Sequence, residues 1–168
     1  MIAKLIVEGK EFPIEIQDPE LQKLVASKKQ TGYERVKLDE RFYSVRADNS
    51  IFAPLDGHFL EHDAYYDTAN YYSSQTVAEN NACADELMRQ LRRFAVEHRK
   101  SGLSLSDTAQ RKYYIYYDRR DNKIDIGYVI FGRDFGSIYF DTEEAAEAAL
   151  STFKDELTWY FTEYKDSL

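Results

Sequence analysis

Two stretches of this 168-residue chain carry the same features in the same order. "FYSVRADNSIFA", from Phe42, and "YIYYDRRDNKIDIG", from Tyr114, each read as an alternating aromatic strand, an Asp-Asn turn and an apolar return strand. "NYYSSQTVAENNACADELMRQL", from Asn70, aligns with "IYFDTEEAAEAALSTFKDELTWYF", from Ile138. Tyr71-Tyr72 then falls on Tyr139-Phe140, Ser73-Ser74 on Asp141-Thr142, and Ala78-Glu79 on Ala146-Glu147. One offset serves all the helix-entry matches. The turns are offset by a few residues more, and the difference falls in the connecting loop, where insertions cost least. This order predicts an α+β fold of two repeated strand-strand-strand-helix units, with one antiparallel sheet and two long helices on one face of it. The first unit spans 42–100 and the second 112–168, within a single domain covering 1–168.

The helices are written most plainly. In the second unit Ala146, Ala149, Leu150, Phe153, Leu157, Tyr160, Phe161 and Tyr164 recur at three- and four-residue steps, which gives one broad apolar face. Asp141 with Glu144 has the capping-box spacing, and the acids suit the positive end of the helix dipole. In the first unit Val77, Ala84, Leu87, Met88, Leu91, Phe94 and Ala95 form the stripe, with Ser73 or Ser74 as cap. Residues 1–30 read as an N-terminal hairpin and short helix. The second strand places Phe12, Ile14 and Ile16 on one face, Pro13 suggests a sheet edge, and "DPELQKLV" opens a helix with Pro19 at its first position. Residues 26–41 read as a polar surface connection punctuated by Gly32.

Composition bounds the chemistry. With 43% apolar residues the chain suits one core, and 15% aromatics, Tyr 14 among them, exclude a disordered chain. Tyrosine also gives an interface large area at small entropy cost. The opening "MIAKLIVEGK" is broken by Lys4 and ended by Glu8, too short for a signal-peptide core or a membrane span. A single cysteine, Cys83, excludes an intrachain disulfide, fits a reducing cytosol, and is expected to pack within the first long helix. These features predict a cytoplasmic protein with no membrane partner.

No catalytic residue, metal ligand or cofactor is assigned. His58 and His62 lie four apart beside Asp56, Glu61 and Asp63, but the segment is not H-E-x-x-H and reads as a solvated loop. With only three histidines, nothing in the local sequence builds a nucleophilic triad. Gly127, Gly132 and Gly136 fit neither dinucleotide-binding nor P-loop spacing and read as turns or bulges.

Charge supplies the candidate surfaces. The net charge of -8 raises the cost of approaching phosphates and favours basic partners. A basic zone, Arg89, Arg92, Arg93, His98, Arg99 and Lys100, closes the first long helix, where cations compensate the dipole. Its four arginines neutralise about four phosphates against the roughly 6–10 of strongly salt-dependent binders, so duplex DNA is not expected to bind this chain alone. Asp141, Glu143, Glu144, Glu147, Asp155 and Glu156 form an acidic face suited to a basic groove. These residues, the loop Arg133-Asp134-Phe135, and Arg89, Arg92 and Arg93 are the candidate partner-binding set.

"TGYERV", then "YYS…TVAENNA…LMRQLRRFA", then "KYYIYYD…DIGY…RDFGSIYFDTEEAAEAAL…FKDELTWYFTEYK" resembles a family of small phage and prophage accessory proteins of Gram-positive bacteria, from about residue 31 onward. The resemblance implies a protein without catalytic residues, working in the host cytoplasm on a host protein or ribonucleoprotein complex. It implies an anti-defence role of anti-CRISPR kind, in which binding and occlusion inhibit a host defence nuclease such as a CRISPR effector. The alternatives are an accessory protein of phage replication or expression that binds RNA or single-stranded DNA, and a sponge for a signalling nucleotide.

Overall fold

The computed structural model describes residues 2–7, 10–15, 17–19, 31–100, 110–132 and 134–164. The fold is α+β. Strands β1 (Ile2–Val7) and β2 (Lys10–Glu15) pair antiparallel, with Ala3 opposite Ile14 and Leu5 opposite Phe12. Pro19 is helical, and the rest of the expected short helix lies outside the described residues.

The next elements are β3 (Ser44–Val45), β4 (Ile51–Phe52), α1 (Leu60–Asp67) and α2 (Gln75–Glu97). They are followed by β5 (Lys112–Asp118), β6 (Lys123–Val129), α3 (Glu143–Thr152), α4 (Lys154–Trp159) and a π-helical turn, Tyr160–Tyr164. The hairpins β3–β4 and β5–β6 turn through Asp48-Asn49 and Asp121-Asn122, with both asparagines at positive φ, 66° and 49°. Asparagine tolerates this left-handed region better than most residues.

A third segment then returns to the first strand of each hairpin through a reciprocal backbone pair. Tyr43 and Tyr72 exchange N–H···O bonds of 2.8 Å, and Tyr113 and Phe140 exchange bonds of 2.9 and 2.8 Å. Each return leads straight into a capped helix: the Ser74 hydroxyl accepts from Val77 N–H, and the Thr142 hydroxyl from Ala145 N–H. Asp141, expected as the cap, stands one residue outside.

Two expectations are corrected. Among the described residues the strands form three separate two-stranded pairs instead of one continuous sheet. The elements of the two halves meet through helices: α2 packs on α3, and Leu87, Leu91 and Ala95 of α2 share one buried cluster with Ala145, Ala146 and Ala149 of α3 and Leu157 of α4. Alanine stripes let the two backbones approach, so the apolar faces cover each other. Pro54, which has no N–H to donate, stands just beyond the two-residue β4.

The second long helix is also not continuous. It breaks at Phe153 (φ −110°, ψ 29°), whose ring packs edge-on to Phe94 of α2 at 5.7 Å. The hydroxyls of Thr152, Thr158 and Thr162 each donate to the carbonyl four residues earlier, a contact that bends helices.

The connection at 31–40 is more than surface. Gly32 is buried at φ +89°, its carbonyl accepts Ser73 N–H at 2.8 Å, and an added Cβ there meets Val77 Cγ2 at 2.6 Å. Gly32→Ala combines a disfavoured φ with overlap and is expected to cost about 2 kcal/mol, read as a lower urea midpoint at unchanged slope.

Candidate docking surface

The structure divides the predicted basic zone. Arg89 donates to the side-chain Oδ1 of Asn49 at 2.7 Å, and with Arg93 it lines a depression beside the first hairpin turn. Arg93 also stands 3.9 Å from Glu97. Arg92 points elsewhere. With Val96 and Arg99 it lines a depression of about 370 Å³ whose far wall is Asp134, Gly136 and Tyr139. Two predicted candidates far apart in sequence, Arg92 and the loop carrying Asp134 and Phe135, therefore share one surface. Arg133 lies outside the described residues.

The loop is held in a defined shape. Asp134 N–H donates to the Tyr139 hydroxyl at 2.6 Å, Ser137 N–H to the Asp134 carbonyl at 3.4 Å, and Gly136 takes φ +81°. This turn leaves the Phe135 ring fully exposed, at 108%. Phe135 also lines an open hollow of about 380 Å³, whose other walls are mainly apolar side chains, Met88, Leu91, Ile115, Phe140, Leu157, Tyr160 and Phe161 among them. Phe131, 87% exposed, and Tyr128, with the Arg111 guanidinium 4.4 Å from its ring centroid, extend the exposed aromatic set at this end of β6. An exposed aromatic beside an apolar hollow, rimmed by charge, is the composition of a docking patch.

The acidic candidates are not one free face. Asp141 is half-buried and accepts Lys100 N–H at 2.6 Å, and Glu144 lies 4.0 Å from the Lys100 ammonium, so the acidic start of α3 meets the basic segment after α2. Glu143, Glu147, Asp155 and Glu156 are exposed. Cys83, expected to be packed, is solvent-facing on α2.

A constellation that the sequence did not reveal lies in the first half. Asp56 is 0% exposed. Its carboxylate accepts from Arg35 Nε at 3.1 Å, the Tyr71 hydroxyl at 2.7 Å and His58 N–H at 2.8 Å, and His62 Nδ1 lies 3.1 Å away. His62, read as a solvated loop residue, is instead buried in α1, edge-on to Phe42. Phe42 in turn stacks on Tyr71 at 4.3 Å. Arg35 also reaches Asp63.

Burial alone pushes the Asp56 carboxyl up. The hydrogen bonds from Arg35, Tyr71, His58 and His62 outweigh it and hold the group well below the usual carboxylate range. Burial, reinforced by Asp56, raises the Tyr71 phenol to about 12. With both oxygens engaged, this carboxylate is built to hold segments together and not to take a proton from a substrate. Among the described residues, no group of three or more His, Cys, Asp or Glu side chains is placed to hold a metal ion.

These shifts fix the pH dependence. The unfolded value for Asp is about 3.9 and the folded one lies below it, so this stability is present above about pH 4 and lost as pH falls through the folded value. Glu34, held at about 2 by Thr31, by its own backbone and by Gly32, adds to the same acid loss. The Tyr71 share is present below its unfolded value of about 10 and lost as pH climbs toward about 12, as is that of Tyr72, raised to about 12 by burial. Thermal melts are expected to show a plateau between these limits. Asp56→Asn should flatten the acid flank and Tyr71→Phe part of the alkaline one.

No helix among the described residues is long and apolar enough to cross a membrane. Compared with protein-family models, with curated proteins and with solved structures, the chain gives no match to any of them.

Proposed function

We propose that this protein acts by binding, without chemistry of its own, as a phage or mobile-element accessory protein that occupies and so inhibits a host defence nuclease such as a CRISPR effector. The observation that carries the binding reading is Phe135, fully exposed on a hydrogen-bonded turn between an apolar cavity and the Arg92–Arg99 depression. A rigid aromatic held out from a scaffold is how interfaces anchor, because little entropy is lost when the ring enters a pocket. The exposed Glu143, Glu147, Asp155 and Glu156, on a chain of net charge -8, suit a basic nucleic-acid channel and speed approach to it. The choice of a nuclease as target rests on the family resemblance.

The test is binding to purified defence effectors, with and without guide or substrate. Wild type should bind one of them and slow its cleavage, and Phe135→Ala should weaken binding about tenfold or more. Glu147→Lys with Asp155→Lys should slow association chiefly at low salt. Absence of binding across the effectors, with cleavage unchanged, removes the reading.

A second reading is favoured by one feature, the Arg111 guanidinium over Tyr128 beside exposed Phe131. Single-stranded nucleic acid binds such stacking platforms with salt-sensitive affinity. Filter binding at low and moderate salt decides it, and no retention at micromolar protein eliminates RNA and single-stranded DNA.

The scaffold itself, in this proposal, is two copies of one unit, 42–100 and 112–168. Support comes from the matched Asn49 and Asn122 turns, the matched Tyr43–Tyr72 and Tyr113–Phe140 pairs, and the Ser74 and Thr142 caps.

A further inference from the structure

Phe135 and the cavity behind it are a projection and a hollow on the same surface. The ring is fully exposed, and the hollow of about 380 Å³ begins at its own loop, Gly136 and Ser137, and runs inward to Leu91, Phe140 and Leu157. A void of roughly 150 Å³ already admits a benzene ring, so this one has room for a phenyl group. The turn that fixes Asp134 to Tyr139 and Ser137 leaves the ring solvent-exposed at the rim of this hollow, which Phe135 itself helps to line.

We propose that the chain forms a two-fold dimer in which Phe135 of each copy enters the cavity of the other. Ring and cavity share one loop, so a single two-fold axis beside that loop satisfies both insertions at once, which is the condition for a closed isologous interface. Charge selects this patch for a second copy. A chain of net charge -8 repels its own kind over most of its surface, but among the described residues none that lines the cavity is charged. The adjoining depression carries both signs, Arg92 and Arg99 with Asp134, so paired copies can set opposite charges against each other. The dimer uses the docking patch and adds regulation to that reading: free protein covers its own docking surface, and a target must displace the second copy.

Sedimentation of the full chain from about 1 to 300 μM tests it without any target, so failure here leaves the docking reading standing. The mass should rise from 19.7 kDa toward twice that value, with a midpoint on the order of 10 μM. Phe135→Glu alters only a solvent-facing ring and should stay at 19.7 kDa throughout with an unchanged thermal melt. Wild type that remains monomeric across the range overturns the proposal. So does a dimer that survives Phe135→Glu, or a monomeric Phe135→Glu with a markedly lowered melt, which would place the ring inside its own cavity.

Discussion

Replacing Asp56 with alanine is expected to lower the unfolding free energy by about 3–5 kcal/mol, the largest effect of any single polar substitution in the described fold. The carboxylate is wholly buried and gathers Arg35 from the 31–40 connection, His58 and His62 from around α1, and Tyr71 from the segment that pairs with Tyr43. Alanine leaves those donors facing one another without an acceptor, though Arg35 keeps Asp63. At roughly 2–4 °C per kcal/mol the melting temperature should fall by about 10 °C. Asp56→Asn keeps an acceptor oxygen and should cost about half as much. Tyr71→Phe should cost about 1–2 kcal/mol, and the double mutant less than the sum, because both remove one contact. Urea titrations followed by circular dichroism measure all of these.

The second large effect belongs to the other half. Leu157, 2% exposed, brings α4 onto the cluster of Leu87, Leu91, Phe140 and Ala146, and its side chain also walls the apolar cavity. Truncation to alanine enlarges a void that the rigid neighbours cannot close, so Leu157→Ala should cost about 3–4 kcal/mol, in the upper part of the usual range. Leu150→Ala, at a partly buried site, should cost about 1–2 kcal/mol. The only tryptophan, Trp159, sits in α4 and reports on this half alone. Because α2 and α3 bury their stripes against each other, Trp159 fluorescence and circular dichroism should give one coincident transition in wild type and in both variants.

What was legible in the sequence was local. "DN" before an apolar run marked the left-handed turns at Asn49 and Asn122, and the four-residue spacing of Leu87, Leu91 and Ala95 marked the buried face of α2. Ser74 is readable as a cap; Thr142 is not, because Asp141 and Glu144 have an equally good spacing. Contacts across long sequence separations were not readable. Asp56 looks like any acid before a glycine, and its burial depends on Arg35 and Tyr71, which share no pattern with it. The short α1 has no apolar stripe to announce it, so from sequence alone His62 reads as a loop residue. The break at Phe153 has no glycine or proline signal, only threonines whose hydroxyls turn back on the helix. Of the candidate surface, Phe135 and Arg92 were each visible, but their proximity depends on how the 134–139 loop returns across α2.

The central claim, that this chain works by occupying a partner through the Phe135 loop, is tested most directly by phage plating. Expression in a Gram-positive host armed with a nuclease defence should restore plaque formation by a targeted phage, and Phe135→Ala, folded to the same melting temperature, should lose most of that rescue. Plaque counts that are the same with wild type, with Phe135→Ala and with no protein, on hosts carrying each defence in turn, would contradict the account.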